Sequence, residues 1–475
     1  MWRRLHLLGL LLVIPTGCAT ATAQGPEPVK AEPASMMEAT EAEPLFPDPF
    51  PSTYKPFPSR TTLIRNATVF TGTGEEIAGG SVLLRDGKIV EVGRNLDAPS
   101  DAVVMDATGK WVTPGVIDPH SHLGVYPAPG IPSLSDGNEA TDPNTAQVWA
   151  EHSIFPQDPG FGLALAGGVT ALHTLPGSAN LIGGRSVTVK PVPSRTYQGM
   201  KFPGAPHGLK MACGENPKRV YESRGPATRM ANVAGWRTYF SQAQEYLYRW
   251  KTWKQEGADP AKKPSRDLAL ESLAATLNGD IDAHWHCYRG DEMVTALDIA
   301  NEFGFSIASF EHAVEGYKIR DYLADSGVCA LMWSDWWGFK LEAFDGIKEN
   351  IGLVHEAGAC AVIHSDDAQI MQFLNLDAAK ALHAANKAGL SISKAEAVGW
   401  FTLNAAKAIG IDDVTGSLEA GKAADVVIWS GDPFSIYTKA EMVFVDGALL
   451  FDRSQPDPYL YGDFMLGILP GEVVR

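Results

Sequence analysis

The stretch VTPGVIDPHSH, residues 112–122, ends an apolar run with two histidines that are one residue apart. Successive side chains of a β-strand alternate between faces, so His120 and His122 lie on one face and can bind one metal ion. Imidazole is a common ligand of zinc and related divalent ions. A surface pair would be the simpler interpretation of two isolated histidines, but the buried-strand pattern before them favours a metal site. The remaining ligands must then come from elsewhere in the chain.

The composition is that of a large, acidic, globular protein. The 475 residues are 45% hydrophobic and 20% charged, with a formal net charge of -17. This length is sufficient for one large domain and a smaller one. The negative charge argues against nucleic acid or an anionic bilayer surface as a partner. The sequence leaves the oligomeric state open, a homo-oligomer included.

The N-terminus has the features of an export signal. Two arginines precede an apolar run that is too short to span a bilayer, and small residues then lead to Cys18. Residues 1–18 resemble a bacterial lipoprotein signal, in which Cys18 is lipidated. Pro15 replaces the usual leucine, so cleavage without lipidation is the alternative. The resemblance predicts an exported, periplasmic or cell-envelope protein that contacts the membrane only through a lipid anchor.

The two flanks of the chain have strand patterns. Residues 19–58 are rich in Ala, Pro, Glu and Ser and predict a disordered tether. Strand patterns follow in 59–114 and return in 415–457, so we expect both flanks to build one small β-sandwich domain, followed by a tail at 458–475.

The cysteines do not reveal their pairing. An exported protein can form disulfides, but four buried thiols explain the same residues equally well. No spacing matches a zinc-finger or redox motif. The five cysteines are Cys18, Cys213, Cys287, Cys329 and Cys360.

The middle of the chain, residues 115–414, alternates short apolar runs with helical patterns. Eight strands separated by helices are typical of an α/β fold of the (β/α)8 TIM-like barrel type, whose catalytic residues lie at the C-terminal ends of the strands. A long helical stretch at 217–278 is interpreted as an insertion. The eight candidate strands are 116–122, 169–175, 186–192, 208–213, 281–286, 306–311, 328–333 and 359–364.

Residues that commonly bind metals stand at the ends of several of these runs. His284 and His286 are again two same-face histidines, His312 ends the next run, and Asp366 follows the last one. Lys210 lies within an apolar run, which is unusual for a charge unless it is paired or modified. Each residue alone is weak evidence, since a lone buried histidine usually bonds a carbonyl. Together they predict a site at the mouth of the barrel.

Several motifs resemble those of the amidohydrolase superfamily. Residues 112–122 resemble its opening motif, and residues 402–425 resemble its closing signature. The stretches GENPKR (214–219) and HCYRGDE (286–292) are similar to the imidazolonepropionase-like branch, which includes metal-dependent Xaa-Pro dipeptidases. The resemblance extends over about residues 60–450 and implies a barrel enzyme that hydrolyses C–N bonds.

The resemblance also implies a divalent metal site, with zinc as the expected ion and one or two ions per chain. Lys210 corresponds to the lysine that is carboxylated and bridges two metals in binuclear members. Lys190 and Glu215 compete for that assignment, and some relatives bind one metal. The implied ligands, in chain order, are His120, His122, Lys210, His286, His312 and Asp366.

The same resemblance assigns catalytic and substrate-binding roles. Asp366 would take a proton from the nucleophilic water and give it to the leaving nitrogen, and either His312 or His284 would stabilise the developing oxyanion. His284, Tyr288 and Arg289 are candidates for substrate binding. The expected substrate is a small molecule or short peptide with an amide, cyclic amide or dipeptide bond. Metal-dependent deamination is the alternative activity, and a non-catalytic binding lipoprotein is the alternative from another class.

Overall fold

A computed structural model of the chain describes residues 44–336 and 338–455. Cys18 with the rest of the signal, and the predicted tail, lie outside the described residues. Two sheets organise the described part, one built from both flanks and one from the middle of the chain. Within these ranges, no helix combines the length and apolarity that a membrane span requires.

Strands from both flanks join in a single eight-stranded sheet. They are β1 (Thr62–Phe70), β2 (Glu76–Arg85), β3 (Lys88–Arg94), β4 (Val103–Asp106), β5 (Trp111–Pro114), β14 (Val426–Trp429), β15 (Ala440–Val445) and β16 (Ala448–Asp452). The order is β16-β15-β14-β5-β1-β2-β3, with β4 also paired to β1. The two flanks meet where β14 runs antiparallel to β5, and there Trp429 Nε1 donates a hydrogen bond to Thr113 Oγ1 at 2.9 Å. The prediction of one sheet domain from both ends is thus consistent with this topology.

The middle of the chain forms a barrel, which confirms the predicted fold class. Its strands are β6 (Val116–Ser121), β7 (Val169–Thr174), β8 (Ile182–Val189), β9 (Gly208–Ala212), β10 (Asp282–Cys287), β11 (Ile307–His312), β12 (Cys329–Met332) and β13 (Ala361–Ile363). They pair in chain order from β6 to β13. The ends of this sheet meet beyond β13, where the backbone N–H of Asp366 donates to the carbonyl of His120 at 2.9 Å.

Helices cover the outside of the barrel. They are α1 (Pro159–Ala166), α2 (Glu215–Val220), α3 (Arg229–Gln255), α4 (Leu268–Asn278), α5 (Gly290–Phe303), α6 (Arg320–Ser326), α7 (Asn350–Glu356), α8 (Leu374–Lys387), α9 (Lys394–Val398) and α10 (Leu403–Ala408). The predicted insertion corresponds to α2, α3 and α4. Trp236 of α3 packs edge-to-face on Trp285 of β10, with ring centroids 4.9 Å apart. The aromatic residues of α3 therefore include core residues that help to fix β10.

The third barrel strand departs from the parallel pattern that the (β/α)8 prediction implies. β8 runs antiparallel to both β7 and β9. A parallel return requires a crossover of roughly a dozen residues or more, but β7 ends at Thr174 and β8 begins at Ile182. Because the connection is too short, the chain turns back directly. The C-terminal end of β8 therefore lies at the opposite end of the barrel from the ends of its parallel neighbours.

Part of the predicted tether is ordered. Residues 44–58 pack along the folded body, because their aromatic side chains find apolar partners. Phe46 lies 5.4 Å from Trp250, measured between ring centroids, and the hydroxyl of Tyr54 donates to Asp446 at 2.5 Å. Lys201 Nζ also donates to Asp48 at 2.6 Å. The composition of this segment alone did not predict that it would pack.

Two disulfides resolve the pairing that the sequence left open. Cys213 is bonded to Cys287, and Cys329 is bonded to Cys360. The first links the end of β9 to the end of β10, and the second links β12 to the residue before β13. Both therefore connect neighbouring strands of the barrel.

Candidate metal centre

Four strand ends bring histidines to one end of the barrel. His120 belongs to β6, His286 to β10 and His312 to β11, while His364 directly follows β13. All four side chains are buried. The rings of His120 and His364 stack with centroids 5.1 Å apart, and those of His286 and His312 lie 4.5 Å apart. Residues that are widely separated in sequence thus form a single cluster of imidazoles.

Two triads within this cluster have the spacing of a metal site. His120, His312 and His364 offer nitrogens that lie within 4.8 Å of one another. His120, His122 and Asp366 form a second such group. His120 belongs to both triads, so the two potential ligand sets share one residue.

Asp366 connects the histidines of the first strand. Its Oδ1 lies 3.1 Å from Nε2 of His120 and 3.1 Å from Nε2 of His122. The other nitrogen of His122, Nδ1, lies 3.0 Å from the carbonyl oxygen of Leu175. Because a carbonyl only accepts, Nδ1 carries a hydrogen, and Nε2 is directed at the carboxylate of Asp366. Backbone carbonyls often orient metal-binding histidines in this way.

Burial disfavours the protonated form of four of these histidines. Burial lowers the pKa of His120, His286 and His312 well below the usual value, and burial also lowers that of His364 to about 3. Burial alone would raise the pKa of Asp366, but the nearby His312 and His120 hold it well below the usual range. Neutral imidazole and ionised carboxylate are the forms that bind a metal ion.

The residues present fit a divalent metal. Buried ring nitrogens on three histidines have no hydrogen-bond partner among the described residues: Nδ1 of His286, Nδ1 of His312, and both nitrogens of His364. Leaving buried polar atoms unpaired is costly, roughly 1–3 kcal/mol each, so a cation that accepts their lone pairs would compensate the cluster. Nitrogen ligands with a carboxylate oxygen are a donor set typical of zinc.

A buried ion pair lies beside these ligands. Lys210 on β9 contacts Glu311 through its ammonium group, and its Nζ is 3.2 Å from Nε2 of His120. Glu311 is fully buried, and its Oε2 lies 3.1 Å from Nδ1 of His120. A charged pair in this position is stable only because each partner satisfies the other. The pairing accounts for a lysine inside an apolar strand.

An open cavity reaches the cluster from the barrel mouth. Its volume is about 250 Å³, and His122 and Asp366 form part of its wall together with Tyr288. The side chain of Asp366 is 22% exposed, whereas that of His120 is fully buried. Asp366 is therefore placed where a ligand in the cavity can meet it.

Comparisons with known proteins agree with this architecture. The amidohydrolase family model matches residues 345–450. A solved structure of an amidohydrolase from Thermotoga maritima MSB8 is 38% identical to this chain, with a TM-score of 0.75, and the match covers 82% of this chain and 100% of that one. This chain is a member of the amidohydrolase family.

Two further comparisons support narrower conclusions, because one covers less than half of the relative and the other has low sequence identity. The amidohydrolase tasK of Hapsidospora irregularis is 32% identical over 431 residues, which are 83% of this chain and 43% of that protein. The chain thus spans less than half the length of this curated relative. The solved structure of a molinate hydrolase is 18% identical with a TM-score of 0.51, and the match covers 84% of this chain and 96% of that one. This second likeness concerns the fold alone.

Some residues predicted for this amidohydrolase site lie elsewhere. Lys190 follows the antiparallel β8 and pairs with Asp446 at 2.9 Å, so it cannot bridge metals at the histidine cluster. Glu215 begins α2 and belongs to neither of the two ligand triads. Arg289 pairs with Asp291 at 2.8 Å and does not line the cavity.

His284 occupies a different layer of the barrel from the metal cluster. Its Nδ1 lies 2.8 Å from Ser309 Oγ, and its ring lies 4.8 Å from that of His173. His284 lies two residues before His286 on β10. Its side chain faces the barrel interior below the cluster and does not line the cavity. Of the three candidates for substrate binding, the structure brings Tyr288 to the cavity wall.

Sequence reasoning missed two members of the cluster, His364 and Glu311. His364 lies two residues before Asp366, which is the same spacing that identified the pair at 120 and 122. That signal was available. Glu311 adjoins His312, and strict alternation would place the two side chains on opposite faces. The backbone of His312 has φ +73, which lets both side chains point inward.

Proposed function

We propose that this amidohydrolase hydrolyses a C–N bond in an amide, a cyclic amide or a dipeptide. The observation that carries the proposal is the convergence of buried imidazoles on one carboxylate, Asp366, which lines an open cavity together with His122. The substrate is a small molecule or short peptide, since the cavity of about 250 Å³ is slightly smaller than a typical small-molecule site.

We assign the metal to His120, His122, His286, His312 and Asp366, with His364 as an added candidate. A divalent ion bound by these residues would supply an activated water molecule with a pKa closer to neutrality and a Lewis acid for a carbonyl group. Zinc is our first candidate. The number of ions, one or two, depends on whether Lys210 is carboxylated.

Asp366 and His312 have separate roles in the proposed reaction, proton transfer and stabilisation of the developing negative charge. The carboxylate of Asp366, partly exposed to the cavity, accepts the proton of the attacking water and delivers it to the leaving nitrogen. Nδ1 of His312 lies 3.9 Å from Oδ2 of Asp366, beyond hydrogen-bond distance, and we propose that His312 stabilises the developing oxyanion. The hydroxyl of Tyr288 accepts a hydrogen bond from Lys340 at 3.0 Å, so its own proton is available to a substrate oxygen.

The test combines metal analysis with turnover. The purified chain is analysed for metal, stripped with a chelator, and reloaded with zinc, manganese or cobalt. Each form is then assayed with a library of dipeptides, N-acyl amino acids and cyclic amides. We expect hydrolysis that disappears with the metal. Release of ammonia from ring amines would favour deamination, and a fully loaded protein without turnover would favour a binding lipoprotein.

We further propose that the protein is exported and anchored through Cys18. The signal-like stretch 1–18 carries this proposal, and two disulfides support it because disulfides persist in oxidising compartments. Cell fractionation tests it: Cys18→Ala should move the protein from the membrane fraction to the soluble periplasmic fraction. Retention of the variant in the membrane would contradict the lipid anchor.

A further inference from the structure

The cavity above the histidine cluster has an unusual distribution of charge. Its walls contain two cationic side chains, Lys340 and Arg219, and one carboxylate, Asp366. The chain as a whole has a net charge of -17. In so acidic a protein, two positive side chains on the wall of one small cavity create a local field that attracts anions.

Lys340 is held in place by neutral partners. Its Nζ donates to Oδ1 of Asn216 at 2.9 Å and to the hydroxyl of Tyr288 at 3.0 Å. No carboxylate of the described residues lies within 4.0 Å of this ammonium group; Asp366 and Glu215 act on it only from farther away. An ammonium group has three donors, so one remains for a ligand. Arg219 lines the same cavity, and burial, followed by the charge of Arg219, lowers the pKa of Lys340.

Arg219 is likewise without an ion pair among the described residues. Other arginines nearby are paired: Arg229 contacts Glu342, and Arg237 binds Glu302 at 2.6 Å. Arg219 is exposed at the end of α2 on the cavity wall. A planar guanidinium group is suited to bidentate contacts with carboxylates.

The position of these cations relative to Asp366 defines what they recognise. Asp366 and His122 lie at the wall where the reacting bond must be, and Lys340 and Arg219 line the same cavity of about 250 Å³. We propose that Lys340 and Arg219 bind a carboxylate of the substrate next to the scissile C–N bond. The inference rests on the proposed hydrolytic function and narrows it to N-acyl amino acids and dipeptides with a free C-terminus.

The aromatic neighbours of Lys340 support a small planar anion. The ammonium group lies 5.2 Å from the ring centroid of Tyr288 and 5.4 Å from that of Phe339. Both rings lie within the distance of a cation–π contact with the ammonium group, so they help to fix its position on the cavity wall. A carboxylate attached directly to the carbon that bears the scissile nitrogen would reach both groups within so small a cavity.

The test uses matched pairs of substrates. Each N-acetyl amino acid is compared with its C-terminal amide, which has the same scissile bond and no charge. For the metal-loaded wild type, we expect kcat/KM to be at least about tenfold higher for the carboxylate, chiefly through KM. Lys340→Met and Arg219→Met should each reduce this ratio, and Lys340→Arg should retain most of it.

Lys254→Met is the control, because Lys254 is an exposed lysine at the end of α3, remote from the cavity. It should leave the ratio of carboxylate to amide turnover unchanged. An unchanged ratio in Lys340→Met and Arg219→Met, or a wild type without preference for the carboxylate, would overturn the inference.

A binding measurement tests the carboxylate site independently of the proposed hydrolysis. Calorimetric titration with the same pairs requires no turnover, so a protein that hydrolyses neither member still reports on the cationic site. Tighter binding of the carboxylate, lost in Lys340→Met, would support the site even if hydrolysis failed. Equal or undetectable binding of both members across the library would refute it.

Discussion

His122 and Asp366 face each other with two electron-rich atoms. Nε2 of His122 lies 3.1 Å from Oδ1 of Asp366, while the hydrogen of the ring is directed from Nδ1 to the carbonyl of Leu175, 3.0 Å away. A lone pair and a carboxylate oxygen at this distance repel unless a cation lies between them. Either a proton or a metal ion can serve, and the neighbouring triads of ligands favour the metal.

We therefore expect Asp366→Asn to weaken metal binding and to lower kcat by at least about 100-fold, since both a ligand and the proton carrier are lost. Metal content after dialysis and turnover of the best library substrate provide the measurements. Asp367→Asn is the matched control, because this adjacent side chain accepts backbone hydrogen bonds from Gln369 and Ile370 rather than facing the cavity. Equal losses in both variants would argue against a specific role for Asp366.

The Lys210–Glu311 pair predicts the metal stoichiometry. With its ammonium group against Glu311, Lys210 places a positive charge 3.2 Å from His120 Nε2, which disfavours a second cation there. We expect about one metal per chain by elemental analysis. Two metals per chain in the wild type, reduced to one in Lys210→Ala, would instead establish a carboxylated, bridging lysine.

A double-mutant cycle tests the same pair in the metal-free protein. Lys210→Met leaves the buried carboxylate of Glu311 unpaired and should lower the free energy of unfolding by about 3–5 kcal/mol. Combining it with Glu311→Gln should recover much of that loss, because no buried charge remains. Additive losses in the double variant would mean that the two side chains do not stabilise each other.

The sequence allowed much of the site to be predicted because strand ends are local features. His120 and His122 follow an apolar run at two-residue spacing, and in a barrel the ends of parallel strands must converge. The inward turn at Glu311 and His312 could not be predicted, since it depends on a left-handed backbone at His312 with φ +73. Such a conformation is uncommon outside glycine and is held by the surrounding structure.

The direction of β8, the third barrel strand, is a second feature that could not be predicted from the sequence. Its apolar pattern identified a strand near Ser186, but alternation does not give strand direction. Direction follows from the length of the connection, and the interval between Thr174 and Ile182 leaves no room for a crossover helix. The apolar pattern alone did not predict that the strand begins at residue 182, and without that position its direction could not be predicted. The reversal removes Lys190 from the metal centre.

Asp282 predicts a pH dependence of stability. Burial at the start of β10 raises the pKa of Asp282 from its usual value to about 6. The folded state therefore holds the proton more tightly than the unfolded state, so its contribution is complete below about pH 4 and is lost as pH rises through about 6.

Asp282→Asn removes this titration. At pH 4 the variant and the wild type should unfold at similar temperatures, and above pH 7 the variant should be more stable by up to about 3 kcal/mol. Thermal unfolding between pH 4 and 8 measures the difference. Asp298→Asn, at an exposed position of α5, controls for the loss of a negative charge in general. A constant offset between wild type and Asp282→Asn at every pH would contradict the assignment.

The two disulfides differ in the length of chain that they close, and this difference predicts their relative contributions. Cys213–Cys287 closes 74 residues and Cys329–Cys360 closes 31. If cross-links act by restricting the unfolded chain, replacing the first pair by alanines should cost about 0.8 kcal/mol more than replacing the second, within a typical loss of about 2–5 kcal/mol each. Denaturant unfolding of the two double variants measures both losses. Reaction of four thiols in the denatured, unreduced protein would show that neither disulfide forms. A larger loss of unfolding free energy from the shorter loop would show that packing around the sulfurs outweighs chain entropy.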